Sequence, residues 1–231
     1  MKALALFDSL VSSFDAWFDS EEGRPVFDRE LEAIRRVESG IDRDWLEVGV
    51  GTGRFARSLG IGFGIDPSIK SLELAATRNI RVVCGTAENI PLDSGRFPGV
   101  LMVVTLCFVT DPEKALQEAA RVIKVRGRLV VAIVPGDSAW GRKYIELKNR
   151  GHPFYSRARF YSTVEVREMA HKAGLTFMDA KSCLFTGPNS DLDDMGIKDG
   201  DIQGAGFVSL VFKKGTTRYG ISVGNGSNQV C

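Results

Sequence analysis

The chain has 231 residues, of which 44% are hydrophobic and 26% charged, the composition of an ordinary globular protein. Its 30 basic and 29 acidic side chains nearly cancel, to a formal net charge of +1. This balance gives no support for a nucleic-acid or membrane partner, so we expect neither and predict a small-molecule substrate. The sequence specifies no oligomeric state.

Cysteine and histidine are scarce, which limits the chemistry that we expect. The four cysteines lie far apart, without a C-x-x-C pair: Cys84, Cys107, Cys183 and Cys231. We expect them to be reduced and mostly buried, in a protein of the cytoplasm. His152 and His171 are the only histidines, so we expect no metal site.

Residues 1–40 predict an N-terminal helical cover. Apolar side chains recur there at helical spacing, at Phe7, Leu10, Val11, Phe14, Trp17 and Phe18. A second amphipathic segment follows at Val26–Val37. We expect Phe14 and Trp17 either to pack within the core of the first helix or to cover a ligand.

From residue 41 to residue 135, short apolar runs alternate with helical stretches. The runs are Trp45–Val50, Gly62–Ile65, Ile80–Cys84, Val100–Leu106 and Leu129–Val134. The helical stretches between them are Arg54–Leu59, Ser68–Thr77 and Glu113–Val122. Apolar strands joined by helices indicate a mostly parallel sheet covered on both faces. We therefore predict an α/β protein with a Rossmann-like, doubly wound sheet.

The remaining residues complete a single domain over 1–231. Residues 136–161 interrupt the alternation and predict a small lid, rich in aromatic side chains: Trp140, Tyr144, Phe154, Tyr155, Phe160 and Tyr161. Residues 162–216 predict a helix opened by Ser162 and then two strands, near Leu175–Leu184 and Phe207–Lys213, with a C-terminal antiparallel strand.

The connection between those two strands is acidic, with Asp191, Asp193, Asp194, Asp199 and Asp201. It lacks the final glutamate of a calcium loop, so we expect a solvated loop. Residues 217–231 are rich in Gly, Ser and Asn and predict a flexible tail.

The most specific pattern is a series of alternating glycines after the first predicted strand. Gly49, Gly51 and Gly53 follow an apolar run that contains Glu47. Glycine adopts positive φ and has no Cβ, so a ligand can lie directly against the backbone. The N–H groups at the start of the next helix favour a negatively charged group. The pattern predicts a nucleotide-type binding turn.

Two classes of nucleotide use such a turn. A dinucleotide site favours G-x-G-x-x-G, but Arg54 stands where the third glycine would fall. A glutamate at position 47 would repel a pyrophosphate, whereas it would attract the cation of an amino-acid-bearing nucleoside. S-adenosylmethionine has such a cation, and it also has a carboxylate for the helix start.

Four motifs in chain order resemble those of the class I S-adenosylmethionine-dependent methyltransferases, specifically the methyltransferase type 11 group, which includes quinone-biosynthesis methyltransferases. They are Leu46–Gly53, Gly64–Ser68, Gly85–Pro91 and Lys124–Val130. The resemblance covers about residues 40–135 well and the remainder loosely. It implies an enzyme with S-adenosylmethionine as its cofactor.

The same resemblance implies which residues bind the cofactor. They are Glu47, Gly49, Gly51 and Gly53 in the turn, Asp66, Pro67 and Ser68 at the ribose, and Thr86, Ala87 and Glu88 at the adenine. Thr105 and Leu106 end the fourth predicted strand, where we expect the methionine end. Asp66 can instead cap the following helix, and Glu88 can instead be a surface residue. Thr86 stands where the family commonly has an aspartate, and Cys107-Phe108 where it often has paired histidines.

No catalytic residue is assigned from the sequence, although His152 and Tyr155 in the lid are candidates. Tyr144, Tyr155 and Tyr161 either line a substrate pocket or pack the lid. Because an amine nitrogen needs less proton chemistry than a hydroxyl or a carbon acid, we favour methyl transfer to the nitrogen of a small amine. Two alternatives stay open: an NAD(P)-dependent oxidoreductase on the same sheet, and a non-catalytic protein that binds S-adenosylmethionine.

Overall fold

A computed structural model of the chain describes residues 11–188 and 196–216. Several sequence predictions lie outside the described residues: the helical positions Phe7 and Leu10, the acidic positions Asp191, Asp193 and Asp194, and the tail 217–231 with Cys231. Among the residues that are described, no helix combines the length and apolarity needed to cross a membrane.

The strands form one mixed sheet. They are β1 (Leu46–Val48), β2 (Phe63–Asp66), β3 (Arg81–Cys84), β4 (Phe97–Val103), β5 (Ile123–Ile133), β6 (Leu175–Cys183), β7 (Lys198–Asp199) and β8 (Phe207–Lys214). The sheet is eight-stranded, in the order β3-β2-β1-β4-β5-β8-β6-β7. The strands β1 to β5 pair in parallel, whereas β8 is antiparallel to both β5 and β6. The prediction of a mostly parallel sheet with a C-terminal antiparallel strand is confirmed.

Helices connect these strands. They are α1 (residues 11–17), α2 (Gly23–Val37), α3 (Arg54–Leu59), α4 (Ile69–Thr77), α5 (Pro112–Val122), α6 (Ala139–Asn149) and α7 (Thr163–Lys172), with a single 3₁₀ turn at Leu106–Phe108. Asp111 caps α5 by accepting the Lys114 N–H at 3.0 Å. Ser162 forms the expected capping box at the start of α7, together with Glu165.

Helices cover both faces of the sheet, as a doubly wound fold requires. Along β5, Leu129 and Val131 pack on one side in a core that also contains residues of α5 and α7. Val130 and Ala132 pack on the other side in a core that contains residues of α2, α3 and α4. Strand order reverses at β1, which pairs with β2 on one side and β4 on the other. In such sheets ligands bind at the carboxyl ends of the strands beside the reversal.

The structure corrects several boundaries. β5 begins at Ile123 rather than near Leu129, because the exposed, polar stretch after α5 is already extended and Ile123 pairs with Phe97 of β4. The predicted lid contains the full helix α6. The short strand β7 was not predicted, since two exposed residues give no alternating pattern.

Gly99 in β4 is required by the packing beneath the site. A Cβ at this position would lie 2.3 Å from ring atoms of Trp45, which is 2% exposed. We predict that Gly99→Ala lowers the free energy of unfolding by about 1–3 kcal/mol, because a buried indole must move.

The matched control is Gly196→Ala, where a Cβ would meet no described atom within 4 Å. Urea denaturation of both variants checks this. Equal stability of Gly99→Ala and the wild type would contradict the packing described.

Candidate active site

The turn between β1 and α3 has three glycines at positive φ. The φ angles are +76° at Gly49, +51° at Gly51 and +84° at Gly53, values that residues with side chains rarely adopt. A Cβ on Gly49 would lie 2.4 Å from the Thr105 side chain, and a Cβ on Gly53 would lie 2.4 Å from Cδ1 of Ile80. A Cβ on Gly51 would meet no described atom within 4 Å. The turn is therefore packed at its two outer glycines and open at the middle one.

Asp66, the last residue of β2, lies beside the open glycine. Its Oδ2 accepts the Gly51 N–H at 3.0 Å, and its Oδ1 accepts the Ser68 N–H at 2.9 Å. Ser68 caps α4, since its hydroxyl accepts the Ser71 N–H at 3.2 Å. Ser68, not Asp66, therefore caps α4. Two backbone N–H groups orient the Asp66 carboxylate. Each of its oxygens can accept a further hydrogen bond. Pro67, between them, is half-buried.

Glu47 lies beneath the turn and is 2% exposed. Burial raises the pKa of its carboxyl well above the usual value, and the charge of Asp66 raises it further. A hydrogen bond from the Ala56 N–H lowers the pKa but does not offset these two effects. Its Oε2 has no hydrogen-bond partner within the described ranges. A neutral Glu47 can bind a ligand by hydrogen bonding rather than by charge. Contact with the cofactor's cation stays a prediction.

The predicted adenine-side residues form a tight loop after β3. Thr86 is exposed and bridges to Asn89, and Ala87 is buried. The Glu88 carboxylate accepts the Thr110 N–H at 2.7 Å. That bond fastens the loop to the segment that begins α5, a bracing role that the sequence pattern alone did not indicate.

Thr105 and Leu106 do not end the fourth strand as predicted, because β4 ends at Val103 and the chain then turns into the 3₁₀ turn that begins at Leu106. The Thr105 hydroxyl donates to the backbone oxygen of Val48 at 3.0 Å, which joins the ends of β1 and β4. Leu106 is 1% exposed. Thr105 therefore also fills the space that Gly49 leaves open.

A cluster around Asp15 fastens α1 to the glycine turn. The Asp15 carboxylate accepts hydrogen bonds from the Thr52 hydroxyl at 2.5 Å, from Arg54 at 2.8 Å and from Arg78 at 2.8 Å. Burial opposes ionisation of Asp15, but these three donors outweigh it and hold the pKa of the carboxyl far below its usual value. Arg54, the residue that breaks the dinucleotide pattern, thus binds the N-terminal helix. The sequence analysis did not identify Asp15 or Arg78.

Aromatic rings from separate segments meet above the ends of β4 and β5. Phe14 of α1 stacks on Phe154 of the lid at 4.9 Å between ring centres, and Phe154 meets Phe108 edge-on at 5.1 Å. Tyr155 stacks on Tyr144 of α6 at 4.6 Å. We call these five residues the aromatic wall.

A small cleft of about 10 Å³, room for about one water molecule, lies next to the wall at the ends of β4 and β5. Its lining residues are Val104, Cys107, Ile133, Val134, Phe160 and Tyr161. Val104 has a φ of +49°, a strained conformation for a β-branched residue. Phe160 stacks with Tyr144 at 5.9 Å, so cleft and wall are continuous.

The two candidate catalytic residues, His152 and Tyr155, both lie at the aromatic wall. The His152 ring lies 5.0 Å from the ring of Tyr155, and its Nδ1 accepts the Phe154 N–H at 3.3 Å. Burial raises the pKa of Tyr155 to about 12, so its phenol is neutral at pH 7 and can donate a hydrogen bond. His171 is exposed on α7. Over the described ranges, no group of three or more His, Cys, Asp or Glu side chains could hold a metal ion.

Glu30 is a buried acid that sequence reasoning missed. It is 8% exposed on the apolar stripe of α2, between Val26 and Ile34. Burial raises the pKa of its carboxyl to about 8. The sequence did contain a signal for it, an acidic residue at a core-facing position of a predicted helix.

The donor set fits an amino-acid-bearing nucleoside. The open side of Gly51 leaves room for a ligand against the backbone, and the oriented Asp66 carboxylate suits vicinal hydroxyls.

Comparison with known proteins agrees with this fit. A family model described as a methyltransferase domain matches residues 46–131. A crystal structure from Thermotoga maritima, described as an S-adenosylmethionine-dependent methyltransferase and possible histamine N-methyltransferase, has a TM-score of 0.84 at 38% identity, covering 92% of this chain and 99% of that one. An uncharacterised Methanocaldococcus jannaschii protein is 34% identical over 210 residues, 90% of this chain and 98% of the relative.

An uncharacterised Mycobacterium tuberculosis protein is 38% identical over 200 residues, 86% of this chain and 70% of the relative. The chain belongs to the class I S-adenosylmethionine-dependent methyltransferases, in the methyltransferase type 11 group. It is an enzyme, and its cofactor is S-adenosylmethionine. The glycine turn alone was compatible with S-adenosylmethionine or with a dinucleotide, and membership of this family identifies S-adenosylmethionine.

We predict that Asp15→Asn loosens α1 from the glycine turn. The amide takes from Arg78 the carboxylate it pairs with in the cluster and leaves Arg54 with Asp19 alone, a loss of about 1–3 kcal/mol. The wild-type carboxylate stabilises the fold above the pKa of an unfolded aspartate, about 3.9. That contribution is lost only as the pH falls through the depressed folded pKa, so the difference should persist at pH 5.

The control is Asp19→Asn, because Asp19 is more exposed and contacts Arg54 alone in the cluster. Hydrogen–deuterium exchange over residues 11–17 reports the loosening. Identical exchange in Asp15→Asn and wild type would show that the cluster does not hold this helix.

We predict that Glu30→Gln stabilises the protein, increasingly so from pH 5 to pH 8. The folded pKa of Glu30 is about 8, against about 4.3 for an ordinary glutamate. The folded state therefore retains a proton that the unfolded state releases, and stability falls as the pH rises between these values. The ceiling of this effect is about 5 kcal/mol.

Thermal melts of Glu30→Gln measure the difference, with Glu32→Gln as control, because the Glu32 carboxylate is half-buried and paired with Arg36. A gain that does not depend on pH would contradict the buried, unpaired carboxyl.

Proposed function

We propose that this enzyme transfers the methyl group of S-adenosylmethionine to the nitrogen of a small amine. The observation that carries the proposal is that α1 joins the open glycine turn to the aromatic wall, since Asp15 binds Thr52 of the turn and Phe14 stacks on Phe154. Aromatic faces attract cations, and a protonated amine is a cation. A cytoplasmic location stays a prediction.

The turn and its neighbours would hold the cofactor. Gly51 would lie against it, Asp66 would accept its ribose hydroxyls, and Thr105 would lie near its methionine end. Loop 86–88 would border the adenine. When bound, S-adenosylmethionine supplies an electrophilic methyl group on a sulfonium.

The chain's own residues position the acceptor and exclude water. α1 covers the turn through the Asp15 cluster and brings Phe14 to the lid. Positioning of this kind contributes up to about 7–11 kcal/mol in ideal cases. Tyr155 would orient the acceptor as a neutral hydrogen-bonding phenol, and His152 would support the ring of Tyr155.

The amine preference has independent support. The Thermotoga maritima relative is described as a possible histamine N-methyltransferase, and histamine is a small amine. An amine nucleophile also suits a site whose phenol has a pKa raised to about 12, since that phenol is a poor base at neutral pH.

Gly51→Ala tests the cofactor site. The methyl group would enter the open space beside Asp66 without touching the described protein, so we predict at least about a tenfold loss of S-adenosylmethionine affinity by calorimetry. Methyl transfer to histamine should fall in parallel.

Gly60→Ala is the matched control. Gly60 also has a positive φ, +77°, and open space around its Cβ, but it ends α3 away from the crevice. It should share the backbone strain and keep the affinity. Unchanged binding by Gly51→Ala would remove the turn from the cofactor site.

A further inference from the structure

Glu30 occupies an unusual position for a charged residue. Its neighbours on the buried stripe of α2 are Val26, Ala33, Ile34 and Val37. No hydrogen bond or ion pair found within residues 11–188 and 196–216 involves its carboxyl. Burying a carboxyl without a partner costs stability. A glutamate at such a position points to a ligand that supplies the partner.

Titratable groups on α6, in the lid and on β6 lie near Glu30. Burial raises the pKa of Tyr144, Tyr155 and Cys183, and the negative charge of Glu30 raises each of them further. Arg29, next to it on α2, is exposed, and its backbone oxygen accepts the Cys183 thiol at 3.8 Å. The carboxyl therefore lies within electrostatic reach of the stacked tyrosine pair.

The tyrosine pair connects Glu30 with the place where methyl transfer would occur. Tyr144 stacks with Phe160, which lines the cleft at the end of β4. Tyr155 meets Phe154 at 5.2 Å, and Phe154 meets Phe108 in the turn that follows β4. Tyr144 packs against the core that contains Val26, Ala33 and Ile34 of α2, which places the tyrosine pair and Glu30 on the same side of the sheet.

We propose that Glu30 recognises the acceptor: its carboxylate binds the ammonium group of a small amine against Tyr144 and Tyr155 and takes the proton that this nitrogen must lose. The inference rests on the proposed function and names the group that selects an amine.

The proton transfer balances within the site. An alkylammonium has no lone pair, so it passes one proton to the Glu30 carboxylate and becomes a neutral amine. The N–C bond then forms as the C–S bond breaks, with the bonding electrons leaving on sulfur. The methylated ammonium departs, and the Glu30 proton returns to water.

Burial makes Glu30 suited to this exchange. An alkylammonium has a pKa of about 10, and an ordinary glutamate, with a pKa near 4.3, is far too weak a base for it. The buried Glu30 carboxyl, with a pKa of about 8, is much closer. Burial also favours the neutral amine and acid over the ion pair.

Calorimetry with two matched probes tests the assignment. Phenethylamine is a cation and 2-phenylethanol is its uncharged analogue, and both are titrated into protein saturated with S-adenosylhomocysteine. We expect the wild type to bind the amine at least about tenfold more tightly, and Glu30→Gln to lose that preference. Glu32→Gln, a half-buried position of the same helix whose carboxylate pairs with Arg36, should keep it.

The pH dependence of the wild type gives a second measurement that needs no variant. Below pH 8 the carboxyl must release a proton to pair with the ammonium. Affinity for phenethylamine should therefore fall about tenfold per pH unit there, while affinity for 2-phenylethanol stays constant. For turnover of histamine, kcat/KM should fall about 10²–10⁴-fold in Glu30→Gln, with the KM for S-adenosylmethionine unchanged.

An amine preference that survives in Glu30→Gln, or that is independent of pH in the wild type, overturns the role of Glu30 and leaves methyl transfer itself intact. Failure of the wild type to bind S-adenosylmethionine would instead overturn the proposed function.

Discussion

The site depends on a backbone turn from which side chains are excluded. At Gly49 the missing Cβ lets Thr105 pack against the end of β1 and donate to Val48, and at Gly53 it lets Ile80 pack under α3. Only Gly51 is left uncovered, and its N–H is held by Asp66. The three glycines therefore allow close packing of the core at Gly49 and Gly53 and leave a surface for a ligand at Gly51. This surface lies where the strand order reverses.

Two residues beside the glycines, Thr52 and Arg54, connect the turn to the rest of the site. Thr52 and Arg54 both donate to Asp15, so the N-terminal helix is fastened directly to the backbone that would hold the cofactor. α1 in turn brings Phe14 onto the lid. The acceptor side thus combines residues far apart in the chain, from α1, α2, the end of β4 and the lid.

The sequence predicted the fold closely, because each element carries its own local signal. Apolar runs marked the strands, and Asp111 and Ser162 marked the starts of α5 and α7. The start of β5 was misjudged because exposed residues 124–126 extend the strand without an apolar pattern.

The acceptor side was less predictable. The aromatic content of residues 136–161 predicted a lid, but the partners of its rings depend on tertiary packing. Asp15 and Arg78 are 63 residues apart and have no common motif. Glu30 became visible only when its helix was packed, because burial rather than sequence gives the carboxyl its raised pKa.

A crystal structure of the protein with S-adenosylhomocysteine would test the central claim most directly. The account predicts a nucleoside lying across Gly51, with both ribose hydroxyls on the Asp66 carboxylate and the sulfur toward the aromatic wall. A ligand bound elsewhere, with the backbone between Gly49 and Gly53 uncovered, would contradict it.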